Sequence, residues 1–141
     1  VGARTTGREA ALQVLFALDS SGGSPERALA AYFRDFAPDT GLFFEPEARE
    51  FAEQAVAGVT ATQAELDALL RKASTNWRLE RMSRVDRNVL RLAAWELVHR
   101  PDVPRPVILD EAVELAKRYG TLESRVFVNG VIDRIADLTQ R

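Results

Sequence analysis

The sequence predicts an all-α fold, and three observations carry that expectation. Apolar residues recur at three-and-four spacing along most of the chain, the signature of helices with one buried face. Serine, proline and glycine punctuate these stretches where helices start and stop. No segment of four or more residues alternates apolar and polar in the manner of a half-buried strand.

Residues 5–19 read as the first helix, with Ala11, Leu12, Leu15 and Leu18 on one face. Phe16 sits at the rim of that stripe, where it serves either core packing or as a half-exposed stacking platform. Ser20-Ser21-Gly22-Gly23 breaks the helix, and Ser24-Pro25-Glu26 starts a second one, with serine as cap and proline at the first helical position. Ala28, Leu29, Ala31, Tyr32 and Phe36 are its expected buried side. Pro38-Asp39-Thr40-Gly41 is a turn signal, and Leu42-Phe43-Phe44 is expected to fold onto the core as a loop. A third helix begins near Pro46 and carries Phe51, Ala52, Ala55, Val56 and Val59. Thr62-Gln-Ala-Glu65 has the form of a capping box, so the helix bends or restarts there. Leu66, Leu69 and Leu70 continue the apolar face to about Ala73.

Ser74-Thr75-Asn76 is the expected seam in a single domain of residues 1–141, dividing two small helical subdomains of about 1–75 and 76–141. Trp77, Leu79 and Met82 suggest a short helical turn. Ser83 and Asp86 then open a helix that is apolar nearly all round, interrupted only by Arg91 and Glu96 and barred from continuing by Pro101 and Pro104. Such a helix is wrapped by its neighbours, so Ser83–Arg100 is the expected core element of the second half. Next comes an amphipathic helix with Ile108, Ala112, Leu115, Ala116 and Tyr119 on its inner side, closed by Gly120. The last helix spans about Leu122 to Leu138 and buries Val128, Val131, Ile132 and Ile135. Phe127 lies on its flank and Val126 on its far side. An interior Gly130 costs roughly 1 kcal/mol against alanine, which points to close packing on a neighbouring helix.

Composition narrows the function classes. The 141 residues are 46% apolar and 28% charged, ordinary for a globular domain able to bury a core. The absence of cysteine rules out disulfides and thiolate metal sites and is compatible with a cytoplasmic protein. No apolar run approaches the ~20 residues that span a bilayer. Ala10 to Leu18 faintly has the look of a signal peptide, but Gln13 and Asp19 favour an amphipathic helix. The single histidine, His99, has no partner in the sequence for a zinc site or a catalytic triad. Phosphate-binding glycine motifs are missing. Neither catalysis nor a cofactor or metal is expected.

The net charge of −2 hides an asymmetry. Six acids against Arg49 occupy Asp35 to Glu53, whereas Arg71 to Arg91 holds seven bases against Glu80 and Asp86, a local net of about +5. Such a block attracts phosphate even in a slightly acidic protein, or else is simply a solvated helical face.

Two blocks, Asn76-Trp-Arg-Leu-Glu-Arg-Met through Val89-Leu-Arg-Leu-Ala-Ala-Trp-Glu-Leu97, and Asp110-Glu-Ala-Val-Glu-Leu-Ala-Lys117 with Tyr119-Gly120, Glu123-Ser124 and Phe127-Val-Asn-Gly-Val-Ile-Asp133, resemble the NusB family of bacterial transcription antitermination factors. Arg8-Glu-Ala-Ala-Leu-Gln-Val-Leu-Phe16 resembles the family's first helix, so the likeness covers nearly everything except roughly residues 20–50. The resemblance implies two helical subdomains, and a partner, NusE, which is also a small-subunit ribosomal protein. It implies that the pair binds the single-stranded boxA element of nascent RNA and is loaded onto RNA polymerase, above all in ribosomal RNA transcription. By the same resemblance Arg4, Arg8, Tyr119, Glu123 and Phe127 are expected to face RNA, and Phe16, Glu80 and Asp86 to face NusE. Arginine would neutralise phosphate, and a flanking aromatic would receive an unstacked base. Tyr119 and Phe127 could equally be core, Glu123 and Asp86 helix-start charges.

The sequence departs from the family at Arg4-Thr5-Thr6-Gly7-Arg8, where relatives can carry a denser arginine cluster, and at Phe16, where some have tyrosine. Fewer cations mean weaker RNA binding by the chain alone and greater reliance on NusE or on Arg71 to Arg91. The competing expectations are a protein-interaction module of the same fold with little RNA affinity, and an accessory domain of an RNA-modifying methyltransferase, which would need an α/β domain downstream.

Overall fold

In the computed structural model, which describes residues 2–39 and 45–141, seven α-helices and one 3₁₀ turn are found among the described residues, with no strand. They form two compact units, Val1–Thr60 and Ala61–Arg141. This boundary precedes the seam expected at Asn76, because helix Gln63–Ala73 packs with the second unit.

The first unit contains α1 (Ala3–Ser21), α2 (Pro25–Asp39) and α3 (Pro46–Ala61). Ala10, Ala11, Leu12, Val14 and Leu15 bury the inner face of α1, and Phe51, Ala52, Ala55, Val56 and Val59 that of α3. Each fully buried leucine or valine contributes about 1.5–3 kcal/mol relative to exposure. Ser24 starts α2 as expected, its Oγ accepting from the Arg27 amide at 3.3 Å. Leu29 and Phe33 are buried there, while Ala28, Ala31 and Tyr32 are only half-buried. Phe33 escaped the periodicity reading; its ring meets Tyr32 edge-on at 5.5 Å and lies under the Arg49 guanidinium at 4.7 Å. The Phe36 side chain and the Leu42-Phe43-Phe44 loop lie outside the described residues.

Gly7 sets how closely α1 approaches α3. A Cβ there would stand 2.8 Å from the Ala48 carbonyl oxygen and 3.1 Å from the Phe51 Cβ.

In the second unit, α4 (Gln63–Ala73), the 3₁₀ turn Leu79–Arg81, α6 (Arg105–Tyr119) and α7 (Ser124–Leu138) pack with α5 (Arg84–His99). Ten consecutive residues of α5, Asn88 to Leu97, are buried, as its all-round apolar pattern requires. Ser83 caps it, accepting from the Asp86 amide at 3.0 Å. Arg91, an interruption in the sequence pattern, is the buried partner of Asp67 on α4, with Nε donating to Oδ1 at 2.8 Å and Nη2 to Oδ2 at 3.0 Å. Helix ends are closed by arginines from afar. Arg134 donates to the Ala73 carbonyl at the end of α4, and Arg141 to the Leu97 carbonyl at the end of α5.

Gly130 departs from the sequence expectation. It is exposed, and a Cβ placed on it would meet nothing within 4 Å. It faces outward with Leu122 (93% exposed) and Val126 (71%), so no neighbouring helix among the described residues explains it.

Candidate nucleic-acid interface

Arg4 and Arg8, one helical turn apart on α1, share the face that meets Phe51 of α3. The Arg8 guanidinium lies 5.0 Å and that of Arg4 6.0 Å from the Phe51 ring centroid, both within cation–π range. Arg8 is 2% exposed, so the structure keeps its charge inside the molecule rather than at the surface. Arg4 is half-buried, with Nε 4.0 Å from a Glu47 carboxylate oxygen. Phe16 projects from the far half of α1 at 40% exposure, the half-open rim position expected for it.

The remaining candidates belong to the second unit, and three of them converge. Asp86 from the first turn of α5, with Glu123 and Phe127 from the start of α7, lines one open cavity of about 210 Å³. Arg81, Met82 and Ser83 also line it. Residues expected to face RNA and a residue expected to face the protein partner thus share a single hollow.

Local hydrogen bonds fix the backbone that carries these side chains. Asp86 is fixed by the Ser83 cap. Glu123 is held by a tight turn after α6, in which the buried Ser124 hydroxyl accepts from the Thr121 amide at 3.0 Å. Gly120 is required in that turn, because a Cβ would fall 2.5 Å from the Ser124 Oγ. Phe127 packs edge-on against Trp77, centroids 5.9 Å apart.

Trp77 was not singled out as a site residue in the sequence, yet it is 61% exposed and forms one wall of the cavity. Its other side borders a second, more polar hollow of about 550 Å³ lined by Arg71, Asn76, Arg78 and Glu80. The available signal was its setting, an aromatic amid basic residues in Asn76-Trp-Arg-Leu-Glu-Arg81. Glu80, in this second hollow, accepts from Arg71 Nη2 at 3.1 Å. Its own backbone amide, and then that arginine, hold its carboxyl below the ordinary carboxylate range. Tyr119 ends α6 at 36% exposure and lines neither hollow.

One atom of the cavity stands out. Among the described residues, Asp86 Oδ1 is the single buried side-chain oxygen or nitrogen with no hydrogen-bond partner. An unmade hydrogen bond on a buried polar group costs about 1–3 kcal/mol.

The basic block divides by role. Arg91 is buried against Asp67, Arg87 donates to the Leu79 and Met82 carbonyls, and Arg71 is paired with Glu80. Lys72, Arg78, Arg81 and Arg84 are exposed. Among the described residues no cluster of three or more His, Asp or Glu side chains could hold a metal ion, and no helix is long and apolar enough to cross a membrane.

These features define a class: an all-helical binding protein whose site combines aromatic walls, carboxylate acceptors and an arginine rim. The model of the NusB family matches residues 5–137. The transcription antitermination protein NusB of Sorangium cellulosum (strain So ce56) is 61% identical over 137 residues, covering 97% of this chain and 94% of its own. That of Myxococcus xanthus (strain DK1622) is 48% identical, covering 96% of each. Among solved structures, NusB of T. maritima superimposes with a TM-score of 0.84 at 38% identity, over 95% of this chain and 90% of its own. Antitermination factors NusB and NusE in complex with double-stranded RNA give a TM-score of 0.82 at 26% identity, over 96% of this chain and 97% of the matched one. The chain belongs to the NusB family.

Proposed function

We propose that this protein is a transcription antitermination factor that binds RNA of the boxA type together with NusE and acts on RNA polymerase as a non-catalytic, cytoplasmic subunit. The observation that carries the reading is the single cavity in which Asp86, Glu123 and Phe127 meet, lined also by the exposed Arg81. Its aromatic walls suit an unstacked base, its carboxylates suit base-edge donors, and Arg78, Arg81 and Arg84 suit phosphate. The solved complex of related NusB and NusE with RNA supports the same partners. Tyr119, exposed at the end of α6, and Arg4 are each assigned to RNA contact. Arg8, packed over Phe51 within the first unit, is assigned to steady that end of α1. Phe16 and Glu80, both exposed, are assigned to the NusE side, with Asp86 at the border of the two.

A second reading, a protein-interaction module with little RNA affinity of its own, is favoured by one specific observation. The N-terminal cations are engaged within the chain, Arg8 by Phe51 and Arg4 by Glu47 and Phe51. Fluorescence anisotropy of a labelled boxA-type RNA, with and without NusE, separates the two. Tight binding that requires NusE and fails with scrambled RNA is expected. Equal binding of boxA-type and scrambled RNA, with the protein complex intact, would leave the interaction module.

A further inference from the structure

We propose that the polar hollow at the end of α4 seats one phosphodiester of the RNA backbone on Arg78, Asn76 and Arg71, and that Glu80 is the internal counter-ion it displaces from Arg71. This deepens the RNA-binding reading above and rests on it; the site it adds reads charge and not base.

The donor set carries the argument. Among the described residues the side chains of Thr75, Asn76 and Arg78 make no hydrogen bond, and all three are exposed around the hollow of about 550 Å³. A hydroxyl, a primary amide and a guanidinium all donate, and Arg71 brings a second positive charge to the same hollow. Glu80 is the one acid among the described residues that line it, and it is engaged, with Arg71 Nη2 donating to its Oε1 at 3.1 Å. The side chains of that pair are 57% and 68% exposed, so it is weak and open to exchange. A phosphate offers Arg71 the same kind of acceptor as the carboxylate, and the guanidinium fork can donate to two of its oxygens at once.

One effect opposes an anion here. The C-terminal end of a helix carries partial negative charge, and α4 ends at Ala73 beside the hollow. In this chain that charge is covered. The Ser74 hydroxyl donates to the Leu70 carbonyl, and Arg134 Nη1 to the Ala73 carbonyl at 2.9 Å. Lys72, exposed in the last turn of α4, adds a third cation next to Arg71. Trp77 favours a nucleic-acid strand over a bare anion. Its indole is 61% exposed and borders the hollow, so a base beside the seated phosphate meets aromatic surface whatever its identity.

The test is a linkage scan in anisotropy with the full chain and saturating NusE. Each phosphodiester of a boxA-type RNA is replaced in turn by a methylphosphonate, which has no charge. One linkage should lose about tenfold in affinity when neutralised, and the loss at that linkage alone should shrink to about twofold in Arg78→Gln. Arg78→Gln should also weaken every RNA sequence alike and lower the salt slope by about one. Glu80→Gln should tighten RNA binding about threefold, and the gain should vanish in Arg71→Gln. All three side chains are exposed, and each linkage ratio is taken within one variant, so altered folding or NusE affinity cannot imitate the pattern. If boxA-type RNA binds but Arg78→Gln leaves every linkage penalty unchanged, the proposal is overturned and the RNA reading stands. If Arg78→Gln does so while weakening the NusE complex, the hollow belongs to the protein partner and the proposal is overturned as well. If Glu80→Gln binds RNA no tighter, the counter-ion role is overturned. If no RNA binds even with NusE, both readings fall together.

Discussion

Asp67→Ala should be the most damaging surface-neutral change in the second unit. Arg91 and Asp67 form a bidentate pair with side chains only 8% and 12% exposed, and Arg91 Nη1 also reaches the Asn88 Oδ1 at 3.4 Å. Removing the carboxylate leaves a guanidinium buried on α5, the helix on which Asp86 is mounted. Breaking a buried pair from one side costs about 3–5 kcal/mol, against a total stability for a domain of roughly 5–15 kcal/mol. With a urea m-value of about 2 kcal/mol/M, that is a midpoint shift of roughly 2 M. Fluorescence of Trp95, 6% exposed on the same helix, reports the transition. The double replacement Asp67→Leu with Arg91→Met should recover most of the loss, because it removes both charges and keeps the volume. A loss below about 1 kcal/mol for Asp67→Ala, or a double mutant as unstable as the two singles combined, would refute the buried-pair argument.

Further outcomes follow from single contacts. Gly7→Ala drives a Cβ into the Ala48 carbonyl and Phe51, and should cost about 1–3 kcal/mol in thermal or urea unfolding. Gly130→Ala meets nothing and should stabilise by about 0.5–1 kcal/mol; if it also weakens the RNA complex, the open face at Gly130 is in contact with the ligand. Glu80 has its pKa lowered by folding, so its contribution is present above its ordinary value of 4.5 and lost as pH falls through the lower folded value. The stability difference between wild type and Glu80→Gln should therefore be level at neutral pH and close only in acid urea titrations below that value. If the four exposed cations Lys72, Arg78, Arg81 and Arg84 carry the phosphate contacts, log K against log salt should have a slope of about −3; a slope near −5 would mean that the paired arginines are released as well.

The helices were legible in the sequence, and the site was only half legible, for a physical reason. Helix periodicity states which face is buried, and it placed Phe51, Ala52, Ala55, Val56, Val59 and Ile132 correctly, as the unbroken apolar run did Val89, Leu90, Leu92 to Trp95 and Leu97. It does not state what a residue meets. Gly130 looked like a packing glycine since a mid-helix glycine has a cost that close approach usually explains, yet its surroundings are open. Arg8 and Arg91 counted as surface charge, but a guanidinium can enter a core when a phenylalanine face or a bidentate carboxylate awaits it. Neither partner is close in sequence.

The cavity has the same character. Trp77, Asp86 and Phe127 come from a loop before the 3₁₀ turn, the cap of α5 and the start of α7, and no local spacing relates them. The resemblance to a family marked Asp86, Glu123 and Phe127 one by one, and for two different partners, whereas the folded chain makes them neighbours. That adjacency has a consequence for the division of roles. Asp86 belongs to the hollow that holds Glu123 and Phe127, whereas Glu80 lines the other, where its exposed carboxyl is engaged by Arg71. A substitution at Asp86 is therefore expected to be felt by whatever ligand meets Glu123 and Phe127, and one at Glu80 by whatever meets Arg71.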